Sequence, residues 1–154
     1  MIETAVAELL SDEAEKRALL SDSQFGSRKK CLVIEAAAIM VDRAHSASKE
    51  DNITGVLLID IKAAFKSVGR GRRIHVMKTK RIDGDHSRWT ESCLTERTVE
   101  MVNKGNVLPS HCVEAGVPQG SPLSPILNAI HTPGPMMWVE ERVQADSLSF
   151  VDHL

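Results

Sequence analysis

Residues Gly116 to Pro125 read GVPQGSPLSP. Glycines at 116 and 120 enclose Pro118 and Gln119, so the backbone is free at both ends and stiff between them, as suits a loop held close to a bulky ligand. A helix start follows. Ser121 before Pro122, or Ser124 before Pro125, sets a hydroxyl at the N-cap and a proline at the first helical position, with apolar Ile126, Leu127, Ala129 and Ile130 beyond. A glycine loop feeding a helix N-terminus presents free N–H groups and partial positive charge, the usual receptor for an anion such as phosphate. A plain structural turn is built in the same way.

Outward from this loop the chain patterns as mixed helix and strand. Residues 3 to 20 pattern as helix, with a break near Ser11 and Asp12. Residues 31 to 46, CLVIEAAAIMVDRAHS, repeat Leu32, Ala36, Ile39, Met40 and Ala44 at threes and fours, which predicts an amphipathic helix packed on a sheet. Gly55 to Ile61, GVLLIDI, is rich in branched residues and follows the turn-like Asp51 and Asn52, which predicts a buried central strand. Residues 84 to 95 suit a helix around Trp89 and Cys93, and Arg97 to Val102 alternates like a strand. Asp60 stands near the end of the expected strand. Burying its carboxylate is costly unless a metal or a cation meets it, or the strand end is solvated.

Composition limits the function classes. The chain has 154 residues, one domain's worth, and a net charge of −2, so it is no polyanion binder by overall charge. From Lys62 to Arg81, however, it carries Lys62, Lys66, Arg70, Arg72, Arg73, Lys78, Lys80 and Arg81 without an acid. Such a run can track a phosphate backbone or merely form a solvated face. Cys31, Cys93 and Cys112 are widely spaced, which argues against a disulfide framework or zinc knuckle and for reduced thiols. The histidines are scattered without metal-ligand spacing. No apolar run approaches the roughly 18 residues of a membrane span, and the first residues carry acids where a signal peptide needs bases. The expectation is a soluble, intracellular protein with no membrane partner.

The wording of the loop is more specific than its geometry. Glu114 to Pro125, EAGVPQGSPLSP, resembles the motif B loop of reverse transcriptases, in the form carried by non-LTR retrotransposons. Leu57 to Val68, LLIDIKAAFKSV, resembles motif A; Leu20 to Arg28, LSDSQFGSR, resembles the finger segment upstream; Ser149 to Leu154, SFVDHL, resembles motif C. The resemblance implies an α/β (α+β) fold with a palm-like, small, mainly antiparallel sheet and packed helices, incomplete here. Residues 1–50 are then finger-side helices and 51–154 the palm with motifs A, B and C. It further implies RNA-directed DNA polymerisation from dNTPs on an RNA template with a DNA primer.

The same resemblance assigns residues. Asp60 and Asp152 fall on the catalytic carboxylates that hold Mg²⁺, and the main-chain carbonyl of Ile61 is a further hard oxygen donor. Phe65 falls on the aromatic ring under the incoming sugar, a steric gate against the ribose 2′-OH, at a place where a core residue would serve equally. Gly116, Pro118, Gln119 and Gly120 make the nucleotide loop, the Gln119 amide bonding without added charge. Lys62, Arg70, Arg72 and Arg73 become candidate nucleic-acid contacts.

Departures from the pattern weigh against a working enzyme. His153 replaces the second motif C aspartate, and imidazole is a poor Mg²⁺ ligand without negative charge. Lys66 stands where motif A often has another acid. Pro133 and Pro135 are predicted to break the helix after motif B. On this resemblance the chain is expected to start inside the finger region and to stop within motif C, without thumb or nuclease. The expectation is a degenerate copy, inactive alone; the alternatives are a non-catalytic nucleic-acid-binding remnant and a product with no stable fold.

Overall fold

A helix that is apolar on nearly every side has to lie in the interior, and the one after the glycine loop does. The computed structural model describes residues 2–29, 31–60, 64–118, 120–143 and 146–149. Helix α6 (Leu123–His131) buries Leu123, Ile126, Leu127, Ala129 and Ile130 together with the polar Ser124 and Asn128. Helix α1 (Ile2–Lys16) lays Ala7, Leu10 and Ala14 against it, one stripe at spacings of three and four. Helix α4 (Arg70–Thr79) adds Ile74 and Met77, and Leu20, Ile82, Leu94 and Val117 close the cluster. The core therefore joins α1 to the helix that follows the glycine loop.

Helix ends explain the boundaries. α1 runs unbroken through Ser11 and Asp12 and stops where Ala18 turns left-handed (φ 49), with the Leu19 N–H on the Ala14 carbonyl at 2.9 Å. α4 stops identically at Arg81 (φ 54), the Ile82 N–H meeting the Met77 carbonyl at 3.0 Å. Helix α5 (Gly84–Cys93) starts where the Asp83 carboxylate accepts the Asp85 N–H at 2.8 Å, and these backbone bonds hold its pKa below the ordinary value. Helix α7 (Pro133–Val143) begins directly after α6. Pro133 and Pro135 break the helix as expected, yet they occupy the first turn of its successor, where a missing N–H costs little.

The described residues form a mixed α/β fold whose strands are short and antiparallel. β1 (Thr98–Val99) pairs with β4 (His111–Cys112), and β2 (Val102–Asn103) with β3 (Asn106–Val107). They lie along one hairpin, turning at Lys104 and Gly105, with Thr98 opposite Cys112 and Val102 opposite Val107. The strand expected from Arg97 is this hairpin's first arm.

Two expectations are corrected. Residues 53–60 form no strand and are exposed, Leu58 at 87%, and they hydrogen-bond to no other described residue. An apolar segment is held in a sheet by ladder partners on its flanks, and the described residues supply none. Ser149, the first residue of motif C, pairs with Gln24 instead. Helix α2 (Val33–Lys49) forms as predicted but buries only Ala36, because among the described residues no sheet is assembled under its apolar stripe, which leaves Met40 and the N-cap Leu32 exposed.

Candidate functional site

The motif B loop is bound to motif A by its backbone. The Val117 N–H donates to the Phe65 carbonyl at 2.9 Å and the Gly116 N–H to the Val68 carbonyl at 3.1 Å, while Ala115 bridges Gly69. Phe65 lies on the short helix α3 (Ala64–Ser67), so segments almost fifty residues apart share one shelf. Gly116 is left-handed (φ 82), and a Cβ there would stand 2.9 Å from both the Lys66 Cα and the Phe65 oxygen. Only glycine permits this approach.

Beyond the shelf the loop enters α6. The Ser121 hydroxyl accepts the Leu123 N–H at 3.2 Å and donates to the Glu3 carboxylate at 2.6 Å; Ser124 donates to the Pro118 carbonyl at 2.5 Å. Ser121 with Pro122 is thus the helix start, and Ser124 ties the turn from inside. Pro118 is half-buried, and Gly120 is exposed with φ 87. Neither Glu3 nor the inward role of Ser124 has a local sequence signal, since both depend on how α1 and the loop meet in space.

The Phe65 ring is half-buried against the core. Its carbonyl also receives Arg73 Nη2 at 3.4 Å. Arg73 is 2% exposed, and burial lowers its pKa to about 10, so it stays charged at neutral pH. The basic run is therefore not one surface: Arg70 and Arg72 face solvent, while Arg73 lies on the core side of α4 and braces the shelf. Nearby His131 has its pKa lowered by burial and by the charges of Arg73 and Arg72.

The finger segment meets motif C at its first residue. The Phe25 N–H donates to the Ser149 carbonyl at 2.7 Å, the Ser149 N–H to the Ser23 carbonyl at 2.8 Å, and the Ser149 hydroxyl to the Gln24 side chain at 3.1 Å. Gln24, 1% exposed, locks this contact. Asp60 stands exposed at the end of the unpaired segment. Ile61, Lys62, Gln119, Asp152 and His153 lie outside the described residues. Among the described residues no three His, Cys, Asp or Glu side chains gather as metal ligands, so these residues alone do not make a metal centre.

The order of these contacts, finger segment to motif C and motif B to motif A, accompanies a match of residues 1–154 to the family described as reverse transcriptase (RNA-dependent DNA polymerase). The chain belongs to the reverse transcriptase family. It is similar to a Drosophila melanogaster protein named "Probable RNA-directed DNA polymerase from transposon BS", 27% identical over 130 residues, which cover 84% of this chain and 14% of that protein. The chain thus spans a small part of that relative's length, and a retrotransposon origin agrees with it. No solved structure matches the chain. Reverse transcriptases are nucleotidyltransferases, a class that generally uses divalent metal ions. Among the described residues no helix is long and apolar enough to cross a membrane.

Proposed function

We propose that this reverse transcriptase chain carries the finger–palm part of an RNA-directed DNA polymerase, in which the shelf between motifs A and B seats the incoming dNTP. The observation behind this reading is the pair of backbone bonds from Gly116 and Val117 to motif A, which fixes the glycine loop beside Phe65. Gly116, Pro118, Gln119 and Gly120 then border the nucleotide, and the half-buried Phe65 ring, held by its packing, limits the space beside the sugar. Residues 1–50 act as the finger side and 51–154 as the palm. The RNA template and DNA primer are the proposed partners, with Lys62, Arg70 and Arg72 near their phosphates and Arg73 supporting the shelf. Mg²⁺ is the proposed cation, with Asp60, the Ile61 carbonyl and Asp152 as its oxygen donors. A reducing, intracellular setting belongs to the same proposal, supported by the separate free thiols.

A second reading, a non-catalytic nucleic-acid-binding chain, is favoured by His153 in place of a carboxylate and by the exposed, unpaired setting of Asp60. One experiment separates the two. The chain is titrated with complementary dNTP on a primed RNA template, and primer extension is followed in the same samples. Binding that is lost in Gly116→Val supports the shelf. Extension that disappears in Asp60→Ala establishes a working polymerase; dNTP binding without extension is the outcome expected of the finger–palm part alone, and nucleic-acid binding without dNTP binding establishes the second reading. Absence of both refutes the nucleotide site.

A further inference from the structure

Helix α2 has 17 residues, and its own chain barely covers it. Among the described residues it buries only Ala36, and Arg43 ties it to Asp146 at 3.3 Å. A helix in water draws most of its stability from packing an apolar face against something else. That face is continuous here. Val33, Ala37, Met40, Ala44 and Ala47 recur alternately at fours and threes, while Glu35, Asp42 and Lys49 recur at sevens on the opposite side. Ile34 and Val41 flank the seam on one side, and both are exposed, as are Val33 and Met40. Ala36 and Arg43 lie on the other flank, so their contacts with the rest of the chain leave the seam open.

We propose that this seam docks the α2 of a second copy in antiparallel orientation, making a two-fold dimer of the chain. Side-chain size and buried area identify the occupant. Alternating fours and threes is the spacing with which two helices interlock along a shared seam. An antiparallel pair can set Val33 opposite Ala44 and Ala37 opposite Met40, large against small in each layer, with Ile34 of one copy beside Val41 of the other. A parallel pair sets alanine against alanine and leaves gaps. The exposed apolar segment 53–59 follows α2 directly, after the Asn52 N–H returns to the Ala47 carbonyl at 2.9 Å. Antiparallel pairing carries it toward the exposed Leu32 at the start of the other α2. At their exposures, the large apolar side chains of residues 32–41 and 53–59 can bury roughly 800–1,600 Å² over two copies, a range that includes the about 1,200 Å² of a stable interface.

The test is sedimentation of the full chain over a range of concentrations, with a discrete dimer as the expected species. Met40→Glu/Val41→Glu is expected to weaken dimerisation by roughly tenfold or more, because it presses like charges together across the seam. Met101→Glu/Val102→Glu, which charges equally exposed apolar residues of the hairpin, leaves the dimer intact. Oxidation of a Val33→Cys chain mixed with an Ala44→Cys chain should give a mixed disulfide in several times the yield of either chain alone. This second readout decides the matter if the glutamate variant fails to fold. A monomer overturns the proposal, whether free or bound to phosphatidylcholine vesicles, as do aggregates of open-ended mass. Equal loss in the hairpin variant, or cross-linking of each cysteine chain to itself in place of the mixed pair, overturns it too. The dimer does not rest on the polymerase reading, so dimerisation without dNTP binding would sink the nucleotide shelf and leave this interface standing.

Discussion

Gly116→Ala is expected to destabilise the chain by about 2–4 kcal/mol, and the parts of that figure are separable. Holding alanine at φ 82 costs roughly 1–2 kcal/mol, the general penalty for a left-handed residue with a Cβ. The new Cβ would also sit 2.9 Å from the Lys66 Cα and the Phe65 oxygen, and 3.1 Å from the Lys66 oxygen. These are backbone atoms, so relief requires separating the loop from α3, which weakens the Gly116 and Val117 bonds at about 1 kcal/mol each. Gly120→Ala supplies the internal control: its φ is 87, but nothing lies within 4 Å of the added carbon, so only the conformational penalty remains. Urea unfolding of the two variants, compared at constant m, reads the difference directly. Equal losses within about 0.5 kcal/mol would show that motif B does not press on motif A and would remove the physical basis of the shelf.

Glu13 gives a pH prediction. Burial pushes its pKa up, but the His86 ring at 2.9 Å, the Asp83 N–H and Arg17 together hold it below the ordinary 4.5. A depressed folded-state pKa contributes stability above 4.5 that is lost as pH falls through the folded value, so Glu13→Gln should flatten the acid limb of a stability–pH curve; an unaltered limb refutes this. Primer extension by the chain alone in Mg²⁺ should be undetectable, and His153→Asp should not restore it, because grip on the duplex and triphosphate is also needed; extension by either chain contradicts the prediction. The apolar surface at Ile34, Ile53, Leu57 and Leu58 should make the purified chain associate and melt weakly. A monomer in sedimentation with a sharp transition above about 65 °C would be the opposite result.

Much of the helical framework could be read from sequence because it rests on local chemistry. The apolar spacings of α1 and α2 and the Ser121–Pro122 start act within a few residues of themselves. Helix ends were less legible: Ala18 and Arg81 take a left-handed turn usually given to glycine, so the stop signal is absent from the letters. The stretch from Gly55 to Ile61 marks the limit of periodicity. Its composition specifies a strand, but a strand exists only through hydrogen bonds to a neighbour, and the described part of the segment has none. Sequence alone determined the order of the motifs, and with it the family, since residue identity and spacing are enough for that recognition. Only the tertiary structure decided that Arg73 turns inward while Arg70 and Arg72 face solvent, that Ser149 meets Gln24, and that Gly116 lies against Lys66. Each depends on the position of a chain segment distant in sequence, set by packing around α6 and not by neighbouring residues.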